Sequence, residues 1–491
     1  MNSNPMRAGI AKAGQLTVYG LFASQASRDP NMIALASGSL RRTYGELNER
    51  VLRLASALRD RGVVAGDRIA LLSENRPEYV EIELAAACLG AIVACQNWRL
   101  APAEVQHCVD LVSPVLIIAS ERHAGLASGL DLRGTPLLVI DRDHEALLAS
   151  ATPLAPVPDV DPEDGLVILY TSGTTGLPKG ALISHRAEIA RMTALRLDMR
   201  VTEQDGFVAW APMFHMGSTD QLLGALMSGA TVHVVDGFHA ETIVDIMEHN
   251  LIGWMLLMPG SIEPVVDILK SSNRRPKGIR AVGAMADLLP KSLIAELSGL
   301  TGAPFLNSFG STETGLPPTS SALISPGTIP ESLSKRKSSM CDPTVFSGYW
   351  GADATNARDF KDGWFRMGDL FRRNADGSYD FVDRAKYLIK SGGENIYPAE
   401  IERVLLADPR VSDAAVVRTK DDKWGEVPVA FISRKDEALC RTALAGYKRP
   451  KQVHFIPFEE FPRSTTGKSQ RHELEARLKA KGEAWWRGPL Q

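Results

Sequence analysis

Short apolar runs alternate with helical patterns along the first half of the chain, and this alternation constrains the fold more than any other feature. Apolar residues at helical spacing follow a capping-box pattern at 43–46. Predicted strands and helices then alternate at 68–72, 77–89, 92–95, 102–111 and 115–119. Elements in this order are typical of parallel sheets that are covered by helices. We therefore expect an α/β protein.

The same alternation resumes after residue 200, which predicts a second parallel layer. Its elements are expected at 207–210, 222–227, 231–235, 242–249, 254–257 and 279–283. Because a chain of 491 residues is too long for one compact core, we expect two or more domains.

A polar loop joins two apolar runs, at 166–169 and 181–183, that both predict buried strands. Glycines in the loop let the backbone come close to a ligand, and successive N–H groups form an anion-binding nest. Hydroxyl groups and a lysine add donors suited to a polyphosphate. The candidate phosphate-binding residues are Thr171, Ser172, Gly173, Thr174, Thr175, Gly176 and Lys179.

A solvated polar loop and a Walker A loop are the two other interpretations of this stretch. A Walker A loop needs a lysine directly after its last glycine, followed by Ser or Thr. Here Leu177 and Pro178 separate Gly176 from Lys179, and Pro178 blocks the helix that such a loop must start. The sequence therefore excludes a P-loop NTPase.

The charge, the cysteine content and the length of the apolar runs indicate which partners and which cellular location to expect. Lys and Arg number 55 against 58 Asp and Glu, so the formal charge of −3 gives no indication of nucleic-acid binding. Five cysteines without metal-ligand spacing are typical of reduced thiols. The longest apolar run, 84–95, is too short for an integral membrane segment, and 1–20 has no signal-peptide core. We expect a cytoplasmic protein.

Three further motifs carry reactive or charged side chains. They contain His215, then Phe309 with Thr312 and Glu313, and finally Asp369 with Arg384. Each has a structural alternative when it is considered alone. A lone histidine in apolar company is usually a core residue, a Ser-Thr-Glu string can cap a helix, and Asp369 with Arg384 can form a salt bridge.

Taken together and in this order, the motifs resemble the adenylate-forming superfamily, which includes acyl-CoA synthetases, luciferases and peptide-synthetase adenylation domains. The resemblance implies that the loop at 171–180 binds the phosphates of ATP. It further implies that Phe309 packs on adenine, that Thr312 contacts phosphate, and that Glu313 is the metal ligand for Mg²⁺. Asp369 and Arg384 would bind the ribose hydroxyl groups.

The resemblance also assigns the acyl and catalytic positions. It places His215 beside the reacting carboxylate and gives catalytic roles to His215, Thr312 and Glu313. It identifies Lys468, which follows a glycine near the C-terminus, as the catalytic lysine. The acyl pocket would be lined by His215, Met216, Gly217, Gly283, Ala284, Met285 and Ser308.

Coenzyme A contacts and a hinge are implied in the same way. The CoA-binding candidates are Arg99, Gly392, Gly393, Trp424, Tyr447 and Arg449, and the hinge residue is Lys386. A solvated arginine is the alternative for Arg99, and surface packing is the alternative for Trp424 and Tyr447. Met367 stands where the family usually has threonine.

The family fold has a large multilayer α/β N-terminal domain and a small mobile α+β C-terminal domain. Residues 1–385 would form the ATP- and acyl-binding domain, and 386–491 would form the mobile domain. Two stretches, near 334–345 and 435–445, are shorter than the family pattern. Real deletions and further residues at these places are both open, and we favour further residues because missing internal strands would expose sheet edges.

The resemblance implies an ATP-dependent carboxylate–CoA ligase that forms an acyl-adenylate and then a thioester, using ATP, Mg²⁺ and coenzyme A. The expected substrate is an apolar monocarboxylic acid, fatty or aromatic. Open alternatives are a stand-alone enzyme that loads a carrier protein, a luciferase-like oxygenase and a catalytically inactive binding protein. Further expectations are a homodimer and control of Lys468 by a lysine acetyltransferase and deacetylase.

Overall fold

The computed structural model describes residues 15–172, 177–258, 260–284, 289–320, 322–334, 343–391, 394–406, 408, 411–421, 425–434, 450, 452–462 and 469–481. Its first fourteen strands are β1 (Ile33–Ser37), β2 (Leu40–Thr43), β3 (Arg68–Leu72), β4 (Ile92–Cys95), β5 (Leu116–Ala119), β6 (Leu137–Val139), β7 (Gly165–Ser172), β8 (Pro178–Ser184), β9 (Phe207–Ala209), β10 (Val232–Val234), β11 (Leu251–Leu256), β12 (Gly278–Ala284), β13 (Phe305–Ser311) and β14 (Gly315–Ser320).

Eleven helices of the described chain alternate with these strands. They are α1 (Val18–Arg28), α2 (Tyr44–Arg59), α3 (Pro77–Leu89), α4 (Pro102–Val112), α5 (Glu121–Ser128), α6 (Ile140–Ser150), α7 (His185–Met199), α8 (Met216–Met227), α9 (Ala240–His249), α10 (Ile262–Ser271) and α11 (Lys291–Thr301). None of the helices in the described part of the chain has the length and apolar character needed to cross a membrane.

The largest sheet has six strands in the order β6-β5-β3-β4-β7-β8. All neighbouring pairs are parallel except β7 and β8, which are antiparallel. The predicted capping box is present at the start of α2, where Thr43 and Glu46 satisfy each other's backbone N–H groups. The buried strands β3, β4 and β5 lie at or within one residue of their predicted bounds, so the expected parallel sheet is confirmed.

Two four-stranded sheets form the second layer that the sequence predicts. Their strand orders are β2-β1-β10-β9 and β11-β12-β13-β14. In the latter sheet β11, β12 and β13 run parallel, whereas β14 returns antiparallel to β13. The turn between β13 and β14 therefore emerges at the carboxyl end of a buried parallel strand, where open α/β sheets usually bind ligands.

The edge of β8 is covered by a segment that follows far along the chain. The backbone N–H of Leu182 donates to Gly348 O at 3.0 Å, and Ser347 N donates to Leu182 O at 2.8 Å. Trp350 N donates to Gly180 O at 2.8 Å. Residues 347–350 therefore take the place of a further strand and cover this edge of the sheet.

The C-terminal part is a small α+β unit preceded by short hairpins. The elements are α12 (Asp353–Asp359), β15 (Phe360–Lys361), β16 (Trp364–Phe365), β17 (Asp369–Arg373), β18 (Tyr379–Arg384), β19 (Ile389–Ser391), β20 (Glu394–Ile396), α13 (Pro398–Leu406), β21 (Val411–Asp421), β22 (Gly425–Arg434), β23 (Gln452–Phe455) and α14 (Arg471–Lys481). A five-stranded sheet runs β20-β19-β22-β21, with β23 also paired to β22. Its core contains Ile389, Ile401, Val416 and Ile432.

Candidate active site

The polar loop is the tip of the β7–β8 hairpin. Thr171 pairs with Lys179 and Ser172 pairs with Pro178 across the two strands, so both flanks of the loop leave the same end of the sheet. Pro178 begins a strand, and the first helix after the loop starts only at His185, capped by the predicted Ser184. The exclusion of a Walker A loop is confirmed, since that motif runs directly into a helix.

The Thr312–Glu313 motif forms the tight turn between β13 and β14. Ser311 accepts hydrogen bonds from Glu313 N at 3.2 Å and, through its carbonyl, from Thr314 N at 3.1 Å. Gly315 closes the turn with a φ of +72°, a conformation that favours glycine. The alternative of a helix cap is wrong, because a strand follows instead of a helix.

Tyr349 connects this turn to Lys179, which lies on β8 next to the polar loop. Its hydroxyl group donates to Glu313 Oε1 at 2.7 Å, and the Lys179 ammonium lies 4.9 Å from the centre of its ring. Burial, together with the neighbouring Glu313 carboxylate, raises the pKa of Tyr349 well above its usual range. The phenol therefore stays protonated and acts as a donor. Sequence reasoning gave Tyr349 no role, because its partners lie far away in the chain.

Phe309 packs against the β17–β18 hairpin. Its ring lies 5.0 Å from Phe371 and 5.5 Å from Phe381 between ring centres, and only 4 % of the residue is exposed. Asp369 and Arg384 are directly opposite each other on the same hairpin, and Arg384 Nε lies 2.9 Å from Asp369 Oδ1. The structural salt bridge is thus present, and it lies beside the proposed adenine residue.

His215 precedes α8 as its N-cap. Its Nδ1 accepts the backbone N–H of Gly217 at 3.1 Å, so the other ring nitrogen carries the proton in the neutral form. The nearby pocket candidates Met216, Gly217, Ala284 and Ser308 are buried. Gly283 is closely covered, since a Cβ there would lie 2.3 Å from the Trp254 ring. The described pocket candidates contain no cationic side chain.

Arg99 is exposed, yet its guanidinium stacks on Trp98 with 4.8 Å to the ring centre. Trp98 in turn stacks on His123 at 4.9 Å and meets Phe214 edge-on at 6.0 Å. Phe214 directly precedes His215 in the chain. An aromatic chain of contacts therefore links the candidate CoA arginine to the candidate acyl pocket.

Lys386 lies in a short 3₁₀ turn, Ala385–Tyr387, between β18 and β19. Its ammonium lies 4.8 Å from the Tyr387 ring centre, and the Arg471 guanidinium lies 4.7 Å from the same ring centre. Before the turn, Asp383 Oδ2 accepts the N–H of Ala399 at 2.8 Å. The remaining site predictions lie outside the described residues: Gly173, Thr174, Thr175, Gly176, Met285, Gly392, Gly393, Trp424, Tyr447, Arg449, Lys468 and the side chain of Ser172.

Two family models match the chain. The model described as AMP-binding enzyme matches residues 22–341, and the model described as AMP-binding enzyme C-terminal domain matches residues 400–468. The first alone spans more than half of the chain, and it contains the β7–β8 hairpin and the β13–β14 turn.

Curated relatives and solved structures agree with these matches. The indoleacetate–CoA ligase of Aromatoleum aromaticum is 32 % identical, covering 91 % of this chain and 96 % of its own length. A feruloyl-CoA synthase of an Amycolatopsis species is 30 % identical over 92 % and 97 %. The O-succinylbenzoate coenzyme A synthetase of Bacillus subtilis, in complex with ATP and magnesium ion, has a TM-score of 0.79 at 25 % identity over 93 % and 99 %. The chain belongs to the AMP-binding enzyme family of the adenylate-forming superfamily, in which it is an acyl-CoA synthetase, an AMP-forming acid–thiol ligase.

Proposed function

We propose that the protein joins an apolar monocarboxylic acid to coenzyme A at the site between the β7–β8 hairpin and the β13–β14 turn. A carboxylate oxygen attacks the α-phosphorus of ATP, so that an O–P bond forms and the bond to pyrophosphate breaks. The CoA sulfur then attacks the acyl carbon, and AMP leaves with the carboxylate-derived oxygen. Positioning and charge stabilisation are the main tasks of the protein in such phosphorus chemistry.

The contact between Tyr349 and Glu313 is the observation that carries this proposal. The tyrosine hydroxyl group binds Glu313, the proposed metal ligand, and the tyrosine ring lies against the ammonium of Lys179, the proposed phosphate-binding cation. Such a carboxylate fits Mg²⁺, which takes one or two carboxylates and completes its shell with water and phosphate oxygens. Tyr349 donates to Oε1 of Glu313, and the second carboxylate oxygen, Oε2, would face the metal. Mg²⁺ would neutralise phosphate charge there.

The other ATP contacts follow from the same arrangement. Thr171, Ser172, Lys179 and Thr312 would donate to phosphate oxygens, together with the loop at 173–176. Phe309 would pack against adenine, and Asp369 with Arg384 would bind the ribose hydroxyl groups. In support, Phe309 contacts the hairpin that carries both charged residues.

The acyl pocket favours an uncharged substrate tail. Its described candidates, His215, Met216, Gly217, Gly283, Ala284 and Ser308, offer no lysine or arginine to a second carboxylate. Burying an unpaired charge there carries a large penalty. The relatives named for indoleacetate and feruloyl substrates are consistent with an aromatic tail. We therefore place aromatic acids first and aliphatic acids second.

The C-terminal part would contribute residues to both half-reactions. We propose Lys468 as the adenylation lysine on the basis of its motif, and Arg99, Gly392, Gly393, Trp424, Tyr447 and Arg449 as CoA contacts. We also propose a domain boundary between residues 385 and 386, a hinge at Lys386, acetylation of Lys468 as an off-switch and a homodimer. Acetylation would remove the charge that adenylation needs.

A panel of acids tests the proposed substrate class. We expect exchange of labelled pyrophosphate into ATP with arylacetic, cinnamic and fatty acids in the absence of CoA, and release of AMP when CoA is added. Succinate, malonate and O-succinylbenzoate serve as dicarboxylate controls. Efficient turnover of these dicarboxylates, with the apolar monocarboxylates poor, would overturn the assignment of the substrate class. Exchange with acids but acyl transfer only to a carrier protein would overturn the role of CoA.

A further inference from the structure

A buried arginine lies behind the β13–β14 turn and has no surface exposed to solvent. Arg191 is on α7, where a charged side chain without exposure is rare unless it is paired. Its Nη2 donates to the carbonyl of Thr312 at 3.0 Å, and its Nε donates to the carbonyl of Thr344 at 2.8 Å. Its Nη1 lies 3.2 Å from Asp220 Oδ2.

The two carbonyl groups that accept from Arg191 belong to separate parts of the candidate site. Thr312 directly precedes Glu313, and Thr344 begins the stretch that leads to Tyr349. Within that stretch Phe346 N donates to the carbonyl of Glu313 at 2.8 Å. A single guanidinium group therefore holds both chain segments whose side chains meet in the Tyr349–Glu313 hydrogen bond.

Gly315 brings the turn directly against this arginine. A Cβ at Gly315 would lie 2.7 Å from Arg191 Cδ and 2.8 Å from Cγ. The backbone of the turn thus packs on the aliphatic stem while the Thr312 carbonyl accepts from the head group. Arginine suits this place because its planar fork presents several donors at fixed angles, whereas lysine presents one ammonium group.

Arg191 and three acidic side chains form one buried cluster. Glu83, Glu188 and Asp220 are all buried on helices α3, α7 and α8. Burial raises the pKa of Glu83 to about 8 and the pKa of Glu188 well above its usual range, so both are protonated at neutral pH. Burial also raises the pKa of Asp220, although the guanidinium that it touches favours its charged form. Neither oxygen of Glu188 has a conventional donor among the described residues, which fits a proton shared with Asp220.

We propose that Arg191 is a positioning residue for magnesium-dependent ATP binding, because it fixes the Glu313 turn and the Tyr349 segment relative to each other. This inference rests on the proposed role of Glu313, and it adds a residue that touches neither metal nor nucleotide. A half-buried arginine in another part of the fold, Arg50, whose side chain is 19 % exposed, provides the comparison. Arg50 donates to both oxygens of the buried Glu81 and to Glu145, and none of these is a candidate site residue.

The test measures ATP binding by calorimetry in saturating Mg²⁺ and in EDTA, for wild type, Arg191→Lys and Arg50→Lys. Circular dichroism melts establish that each variant is folded at the assay temperature. We expect Mg²⁺ to strengthen ATP binding in the wild type and in Arg50→Lys. In Arg191→Lys the ratio of ATP affinity in Mg²⁺ to ATP affinity in EDTA should fall about tenfold, because small displacements of binding groups have large effects. The ATP affinity in EDTA should itself change by less than about threefold.

Several results would overturn the inference. In Arg191→Lys these are an unchanged magnesium dependence of ATP binding, or an equal loss of ATP affinity with and without Mg²⁺. A tenfold loss of magnesium dependence in Arg50→Lys as well, or wild-type ATP affinity that does not change with Mg²⁺, would also overturn it. The measurement needs no acid and no CoA. If no acid supports pyrophosphate exchange, the proposed function fails while this inference is still decided by ATP binding.

Discussion

The hydroxyl group of Tyr349 donates to Glu313 Oε1 at 2.7 Å across a sequence separation of 36 residues. The ring of the same tyrosine lies under Lys179, with 4.9 Å between the ammonium and the ring centre. A lysine of the candidate phosphate loop and a candidate magnesium ligand therefore both contact one side chain.

Replacing Tyr349 with phenylalanine tests this relationship. The change removes the donor to Glu313 and keeps the ring under Lys179. We expect the Mg²⁺ concentration for half-maximal pyrophosphate exchange to rise about tenfold, because a hydrogen bond to a charged group contributes about 1.5–3 kcal/mol. Tyr19→Phe is the control, since its hydroxyl group donates to Asn48, far from the site in sequence. An unchanged Mg²⁺ requirement in Tyr349→Phe would count against the role of this contact.

The Asp369–Arg384 pair allows a test with nucleotide analogues. If Asp369 accepts from a ribose hydroxyl group, the wild type should prefer ATP over 2′-deoxy-ATP or 3′-deoxy-ATP. Asp369→Asn should lower kcat/KM for ATP by about tenfold or more and reduce that preference. Asp380→Asn, on the same hairpin opposite Arg372, should keep it. If Asp369→Asn discriminates as strongly as the wild type, the pair is a structural salt bridge only.

Glu83 should make the stability of the fold depend on pH. Its pKa is about 8 in the folded protein and 4.5 for an ordinary glutamate, so the folded state holds an extra proton between these values. The contribution of Glu83 to the free energy of unfolding therefore falls as the pH rises from about 4.5 to 8.

Glu83→Gln should flatten that decline, because the amide stays neutral throughout. The urea midpoint followed by tryptophan fluorescence at several pH values measures the effect, with the exposed Glu263→Gln as the control. A decline of the same steepness in Glu83→Gln and wild type would show that Glu83 is already ionised in the folded protein.

The hinge is tested by fixing one backbone angle. Lys386 lies in the turn between β18 and β19, and a hinge residue absorbs domain rotation through φ and ψ. Because proline fixes φ, Lys386→Pro should leave acyl-AMP formation near normal and strongly slow thioester formation from isolated acyl-AMP. Lys386→Ala should allow both half-reactions. Equal loss of both in Lys386→Pro indicates misfolding, and loss of neither removes Lys386 as the hinge.

Local patterns were sufficient to predict much of the fold. The capping box at Thr43, the strand Arg68–Leu72 and the helix Pro77–Leu89 all have the predicted bounds. Capping and periodic burial depend on residues a few positions apart, so one sequence contains them. The pairing of 347–350 with β8 depends on residues more than 160 positions away, and no local pattern in the sequence indicates it.

Candidate site residues were proposed from the sequence where a motif is contiguous. The loop between β7 and β8 was singled out by its glycines and hydroxyl residues, and the β13–β14 turn by its resemblance to a family motif. Tyr349 and Arg191 were missed, because each acts on residues that are distant in sequence. Glu83, Glu188 and Asp220 occupy helices and resemble ordinary surface acids until the helices pack together.

The most direct test of the acyl-adenylate route traces the carboxylate oxygen atoms of the substrate into the products. Because a carboxylate oxygen forms the bond to the α-phosphorus, an acid labelled with ¹⁸O in its carboxylate should transfer one labelled oxygen to AMP for each thioester formed. Mass spectrometry of AMP and pyrophosphate after a single turnover with Mg²⁺, ATP and CoA measures this transfer. An acyl-adenylate route gives labelled AMP and unlabelled pyrophosphate. Unlabelled AMP, or label in inorganic phosphate with release of ADP, would contradict an acyl-adenylate route.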